Sequence, residues 1–381
     1  MLGTHIALFA TGFGAFLSLY CTQPLLPLLR QIYGVSELQA SLTVSAPVLA
    51  VALMAPLAGM MADALGRKLV IVAALFGLAL PTVLVATSDS LNQIILWRFF
   101  QGIFVPAVIS ATIAYISEES ATGTVGATMA TYVTGTVVGG FVGRFSVGWI
   151  AQHSGWREAF VLLGALSLVI ALMAWWLLPA ATRFVRQKNA ANALRSMGRH
   201  FRNPQLLATF AVGFNVLFSL VGAFTYVNFY LADEPFMLGT AALASIFAVY
   251  LVGAVVTPLA GRLLDRIGFR RMLMLAVAMS ACGLLLTFMQ SLSAVIVGLA
   301  IHSSGVFACQ SASSGHVGKA AHEARSSAAG LYVTFYYLGG FVGSSLPGYL
   351  WNSTGWTGCV GLMLCLQAIT IIIAHKLWAD K

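Results

Sequence analysis

The sequence predicts an all-α membrane protein with twelve transmembrane helices in two six-helix halves. Of 381 residues, 59% are hydrophobic and 8% charged, and the mean hydropathy is +0.90. A soluble domain carries about a quarter of its residues charged. Twelve apolar runs, each close to the roughly 20 residues that cross a bilayer core, supply the helix count. Two internal repeats, each spaced by about half the chain, divide those helices into halves.

The runs fall at 5–28, 39–62, 69–88, 91–116, 124–151 and 158–179. They continue at 205–231, 239–263, 271–290, 292–316, 324–350 and 356–377. Each is expected as a helix, because hydrocarbon leaves no other way to satisfy the backbone. Met1 leads almost directly into the first run, which serves as a span rather than a cleavable signal. The halves are therefore 1–180 and 205–381, joined by a cytoplasmic linker over 181–204. The linker is basic between Arg183 and Asn203, and Phe184, Leu194, Met197 and Phe201 lie near one stripe. That pattern suits a surface helix resting on anionic lipid.

The net charge of +9 would suggest nucleic acid as a partner in a soluble chain. Here it reads as orientation charge, and no nucleic-acid partner is expected. Loops after even-numbered spans, with the C-terminus, hold sixteen Lys and Arg, whereas the opposite loops hold only Arg30 and Arg157. The bias puts both termini in the cytoplasm.

The second and third spans are joined by Gly59-Met-Met-Ala-Asp63-Ala-Leu-Gly66-Arg67-Lys68. Glycines at 59 and 66 permit close helix approach and a sharp reversal. Asp63 can accept from nearby arginines or face a helix N-terminus. Arg67 and Lys68 hold the turn on the cytoplasmic side. The pattern returns 202 positions later as Gly261-Arg-Leu-Leu-Asp265-Arg266-Ile-Gly268-Phe-Arg270-Arg271. A second repeat has an offset of 200. Gly139-Gly-Phe-Val-Gly143 recurs as Gly339-Gly-Phe-Val-Gly343, and Gly148 and Gly155-Trp156 recur as Gly348 and Gly355-Trp356. The fifth and eleventh spans are thus equivalents, each glycine-rich on a packing face.

These turns resemble the signature loop of the major facilitator superfamily and its echo in the second half. Ala64 stands where the family usually carries a basic residue; Arg266 fills that place in the second copy. The resemblance covers essentially the whole chain. It implies the major facilitator fold, with halves related by a pseudo-twofold axis along the membrane normal, and a monomer with one cavity for a small-molecule substrate. Leu19-Tyr-Cys-Thr-Gln23-Pro-Leu-Leu-Pro27, Tyr115-Ile-Ser-Glu-Glu119, Gly139–Arg144 and Leu331–Leu338 are similar to strings of one bacterial group. That group is described mostly as sugar or drug efflux transporters of the inner membrane, and its members are poorly assigned by substrate. The narrower resemblance implies export across that membrane and says little about cargo.

Polar side chains inside spans are costly and usually face a cavity. Arg98 in the fourth span lies ~9 Å from its outer end and Arg144 in the fifth ~12 Å, at ~1.5 Å per residue. Gln23, near the outer end of the first span, is at a similar level. The three form a candidate substrate or coupling cluster. The segment around Arg98 looks like the family's helix-four motif, whose arginine is associated with proton coupling. The run Gly135–Gly143 is similar to the exporter-type glycine motif but lacks its usual proline. A second role suits both arginines equally in kind: a helix–helix brace bonded to backbone carbonyls. Further candidates are Asn215 and His302 near mid-membrane, Tyr226 and Asn228 nearer the outside, and Tyr336 in an aromatic stripe of the eleventh span. Packing is the commoner role for a stripe of that kind, and for a lone histidine.

No Asp or Glu lies deep in any span. A cationic cargo needs a carboxylate to offset its charge in low dielectric, so neutral or anionic cargo is favoured. Glu118 and Glu119 after the fourth span, and Lys319, Glu323 and Arg325 after the tenth, are expected to form inner-face ion pairs with Asp63–Arg67 and Asp265–Arg270. Five cysteines without a CxxC pair read as buried reduced thiols, so no metal is expected. The leading function is proton-coupled efflux by alternating access, with the proton gradient and no cofactor as the energy source. Uniport and proton-coupled uptake compete with it. A receptor would need an added signalling domain. A membrane enzyme would need a P-loop, HExxH or GxSxG, and none is present, so no catalytic residue is assigned.

Overall fold

The computed structural model describes residues 2–121, 124–182, 197–321, 323 and 325–378, and every regular element among them is helical. Most of the predicted linker helix, including Phe184 and Leu194, lies outside the described residues. The first half runs α1 (Leu2–Leu17), α2 (Leu26–Tyr33), α3 (Glu37–Leu65), α4 (Arg67–Val85), α5 (Leu91–Glu119), α6 (Val125–His153) and α7 (Trp156–Leu177). The second runs α8 (Pro204–Ala232), α9 (Thr240–Ile246), α10 (Val252–Ile267), α11 (Phe269–Leu286), α12 (Leu292–Ala320), α13 (Arg325–Ser345) and α14 (Pro347–Leu377). Among the described residues ten helices are long and apolar enough to cross a membrane, counting α9 and α10 as one. The predicted first and eleventh spans correspond to the shorter α1 and to α13.

Helix ends follow local chemistry. Ser36 and Gln39 make a reciprocal capping box ahead of α3, with Ser36 N donating to Gln39 Oε1 at 3.0 Å and Gln39 N to Ser36 Oγ at 3.3 Å. The Asn203 side chain accepts from Gln205 N and Leu206 N, with Pro204 opening α8. The repeats reappear as backbone geometry. Gly66 (φ +100°) and Gly268 (φ +80°) are the one-residue reversals of the two signature turns, and Gly155 (φ +127°) and Gly355 (φ +57°) are the second matched pair. A side chain is strained at such φ values, which accounts for glycine at all four.

The first span is not the continuous helix expected over 5–28. It stops at Leu17, passes through a turn and a 3-10 segment at Gln23–Leu25, and resumes as α2. Pro24 and Pro27 explain the break: neither has an N–H, and the proline ring clashes with the preceding turn. Gln23 N consequently turns back to the Tyr20 carbonyl rather than reaching Leu19.

Glycines set a close helix pair in each half. Along α6, a Cβ on Gly135, Gly139 or Gly143 would run into the carbonyl oxygens of Phe9, Phe13 and Leu17 on α1. In the second half, Gly339 and Gly343 on α13 lie against the carbonyl oxygens of Phe214 and Phe218 on α8 in the same way. The close approach expected at Gly59 and Gly261 is not there: nothing lies within 4 Å of a Cβ at either position. Gly139→Ala is therefore expected to destabilise by about 1–3 kcal/mol, the usual range for overpacking. Gly59→Ala should stay within about 0.5 kcal/mol, as for an open surface position. Thermal unfolding of the two variants in detergent checks the contrast.

The chain divides into two compact units. The first comprises Met1–Val35, Ala46–Asn189 and Gly239–Phe247; the second comprises Ser36–Ser45, Ala190–Leu238 and Ala248–Lys381. Two ten-residue-scale segments thus group differently from the chain-order halves 1–180 and 205–381. Cys21, Cys309 and Cys359 are buried, but Cys282 and Cys365 are exposed. An apolar run fixes that a helix crosses lipid, not which of its sides faces protein, so burial of all five thiols did not follow.

Candidate functional site

The first unit gathers its polar side chains around the break in the first span. Arg98, fully buried on α5, donates from Nη1 to the Ser18 carbonyl and from Nη2 to the Leu19 carbonyl, both at 2.5 Å. It also donates to Gln101 Oε1 at 2.5 Å and to Cys21 Sγ at 3.6 Å. Gln101 is fixed in turn by Thr82 Oγ1 on α4 at 2.7 Å. Arg98 therefore takes up carbonyls near the break caused by the prolines.

Arg144 on α6 reaches the same turn from another side. Its Nε donates to Gln23 Oε1 at 2.7 Å and its Nη1 to the Gly140 carbonyl at 2.6 Å. The guanidinium carbon lies 4.9 Å from the Tyr20 ring centre and 5.0 Å from that of Phe247. Contacts of this kind are cation–π attractions. Arg144 is only 3% exposed. The predicted cluster of Arg98, Arg144 and Gln23 is thus one assembly, and its organising element is the turn 18–23 rather than a helix face.

The second unit holds its polar groups in a seam between α8, α11, α12 and α14. Asn215 Nδ2 donates to Thr370 Oγ1 at 2.8 Å. Gln367 Nε2 donates to Ser219 Oγ at 3.1 Å and Ser280 Oγ at 2.8 Å, and Ser280 Oγ pairs with His302 Nδ1 at 2.9 Å. Asn215, Ser219, Ser280, Gln367 and Thr370 line a cavity of about 20 Å³, room for one water. His302 Nε2 and Gln367 Oε1 have no hydrogen-bond partner among the described residues. Asn215 and Ser280 line the same cavity, and His302 adjoins it through its bond to Ser280. The seam does not include the other candidates. Tyr226 OH has the Ser344 and Ser345 carbonyls at 3.0 and 3.3 Å and Ser41 Oγ at 3.3 Å as acceptors within reach of its single hydrogen. Asn228 is bonded to its own helix at the Phe224 carbonyl. Tyr336 stacks on Tyr332 and meets Tyr337 edge-on.

The signature turns differ between the halves. Arg67 bridges Asp63 and Glu118, each at 2.6 Å, and its Nε adds a further bond to Glu118. Glu119 accepts from Thr182 Oγ1 at 2.8 Å. The expected pairing of Asp265 with Arg270 is absent: among the described residues Asp265 makes no ion pair, and Arg270 is hydrogen-bonded to His375. Lys319 lies over the Phe269 ring, and Glu323 sits 3.9 Å from Arg199. The two copies differ because α14 supplies His375, for which the first half has no counterpart in the motif. Asp63→Asn removes one arm of the Arg67 bridge and touches none of the cluster residues. It is expected to slow transport several-fold and leave substrate affinity within about twofold, read as a split between maximal rate and half-saturation. A pure affinity loss would contradict that assignment.

Gln101, Thr82, Ser219, Ser280, Gln367 and Phe247 were not singled out from the sequence. Gln101 and Gln367 had a signal, as lone amides in apolar runs. The hydroxyls and Phe247 had none, since Ser, Thr and Phe are common in membrane helices.

A twice-repeated, all-helical, multi-pass framework with buried arginines near the helix breaks is the class of a membrane transporter. The chain belongs to the Major Facilitator Superfamily, whose family profile matches residues 8–253 and 234–381. It is 31% identical over 378 residues to the inner membrane transport protein YnfM of Escherichia coli, covering 98% of this chain and 89% of that one. It is 29% identical over 180 residues to a gallate transporter of Pseudomonas putida, covering 46% of this chain and 40% of that one. Its fold is similar to the inward-facing, unoccupied structure of a bacterial homologue of the human lysosomal transporter Spinster. The TM-score is 0.81 at 16% identity, over 98% and 97% of the two chains. The protein is a transporter, not an enzyme.

Proposed function

We propose that the chain is a proton-coupled exporter of small neutral or anionic organic solutes across the bacterial inner membrane. In this reading it works as a monomer in lipid by alternating access, with both termini in the cytoplasm. The observation that carries the cargo class is the sign of the first unit's cluster. Its charged members are Arg98 and Arg144, and the sequence has no carboxylate within 2–33, 91–117 or 125–153. A buried positive site favours an anion and opposes a cation. The two arginines take different parts. Arg98 is committed to the backbone of the break and to Gln101, so it positions the turn. Arg144 holds a side-chain amide and two ring faces, contacts that a ligand carboxylate can exchange for its own. The gallate transporter named among the relatives supports an anionic cargo, and the export direction follows the efflux resemblance of the sequence strings.

The test uses proteoliposomes with an internal pH dye and an imposed inward-acid gradient. Benzoate, gallate, a neutral hexose and tetraphenylphosphonium are added in turn. Solute-triggered proton movement with an anionic or neutral solute is the expected result, and its sign separates efflux by antiport from uptake by symport. Saturable proton movement with the phosphonium cation would overturn the cargo class.

A further inference from the structure

Three residues of α6 spaced by four, Arg144, Gly148 and Gln152, form one strip, and α9 lies along it within the first unit. Gln152 Oε1 accepts from Ala241 N at 2.8 Å. Gly148 is approached so closely by Ala244 and by the Thr240 carbonyl that a Cβ would clash. At the end of the strip the Phe247 ring covers the Arg144 guanidinium; Phe247 is 1% exposed. We propose that Phe247 is the removable cover of the Arg144 site, so that seating of the segment 239–247 on α6 and binding of an anion at Arg144 exclude each other. The inference rests on the reading of Arg144 as the ligand-facing cation.

Two observations carry it. Arg144 is enclosed, so an arriving anion must displace something. Its contacts to Gln23 and Gly140 are hydrogen bonds from a charged donor, whereas a cation–π contact is the weaker attachment. Among the described residues, the rest of the segment's seat on α6 shows one hydrogen bond, Gln152 to Ala241, and the close approach of Ala244 and the Thr240 carbonyl to Gly148. The repeat supplies the second observation. Arg144 corresponds to Ser344 at the offset of 200, and Phe247 to Ser45 at the offset of 202. In the second unit Ser45 Oγ and Ser344 Oγ are hydrogen-bonded at 2.8 Å, and Leu38 packs on Gly348 as Thr240 and Ala244 do on Gly148. The same joint thus exists twice. In one copy it is a neutral hydroxyl pair, and in the other a buried cation under an aromatic ring. Packing alone needs no charge, as the serine copy shows, so the guanidinium in the first copy points to a ligand of opposite charge.

Leu243 on α9 is 1% exposed and reports whether the segment is seated. Leu243→Cys would be introduced with the exposed Cys282 and Cys365 changed to serine, and labelled in proteoliposomes with a membrane-impermeant maleimide. Phe247→Ala and Arg144→Gln are each expected to raise the labelling rate about tenfold, and the double variant no further, because both remove one contact. Arg144→Lys should restore protection. Phe247→Leu, which keeps apolar bulk without the ring quadrupole, should label at an intermediate rate. In the Leu243→Cys protein with Phe247 and Arg144 intact, millimolar gallate should raise labelling; with Phe247→Ala added it should contribute nothing further. Unchanged labelling in Phe247→Ala and Arg144→Gln, or full protection in Phe247→Leu, would overturn the cover. Labelling that responds to both variants but not to gallate, benzoate or any other anion would leave the cover standing and refute the anion reading of Arg144.

Discussion

Arg98→Ala is expected to cost the protein most of its stability. The side chain satisfies the Ser18 and Leu19 carbonyls and Gln101 Oε1 in a fully buried place. The Ser18 carbonyl also accepts from Cys21 N at 3.4 Å, so truncation leaves two acceptors, the Leu19 carbonyl and Gln101 Oε1, unsatisfied; at about 1–3 kcal/mol each the loss is on the order of 2–6 kcal/mol before any cavity is counted. The expected result is a large fall in the thermal midpoint in detergent and little folded protein in the membrane. Arg98→Lys should fare better but not well, because one ammonium cannot span the fork that reaches two carbonyls and an amide. An Arg98→Ala variant that folds normally would show that the turn 18–23 holds without it.

Arg144→Gln has the opposite signature. Gln23 Oε1 and the Gly140 carbonyl, the acceptors of Arg144, can each pair with a glutamine amide instead, so the fold should survive with a small shift in midpoint. Anion affinity should fall on the order of 10- to 100-fold, the equivalent of losing about 1.5–3 kcal/mol from a hydrogen bond to a charged group. Arg144→Lys keeps the charge and should recover part of that loss. Equal damage to fold and to binding in both arginine variants would remove the distinction drawn between them.

Much of this architecture was legible in the sequence, for identifiable reasons. Apolar runs mark spans because lipid leaves the backbone one solution. Gly66 and Gly268, and Gly155 and Gly355, were visible as repeats because left-handed backbone admits little but glycine. The grouping of Arg98, Arg144 and Gln23 followed from counting depth along three spans. What was not legible depends on partners that carry no side-chain signal. Arg98 binds main-chain carbonyls, which every residue has, so its bracing role could be offered only as one of two. The break at 18–25 was written in Pro24 and Pro27 but masked by the unbroken hydrophobicity around them. Gly59 and Gly261 carried the motif without the close packing, and Asp265 carried the acid without an ion pair among the described residues. A motif specifies which residues meet a partner in some state of the protein, not that the partner is engaged in this one.

The central claim is that the charge of Arg144, and not that of Arg98, selects the solute. Equilibrium binding of radiolabelled gallate and benzoate, beside tetraphenylphosphonium, to purified wild-type, Arg144→Lys, Arg144→Gln and Arg98→Lys protein tests it most directly. The account predicts saturable binding of an anion to the wild type, lost in Arg144→Gln, partly kept in Arg144→Lys and kept in whatever Arg98→Lys protein folds. Tighter binding of the phosphonium cation than of either anion, or an Arg144→Gln protein that binds the anion as the wild type does, would contradict it.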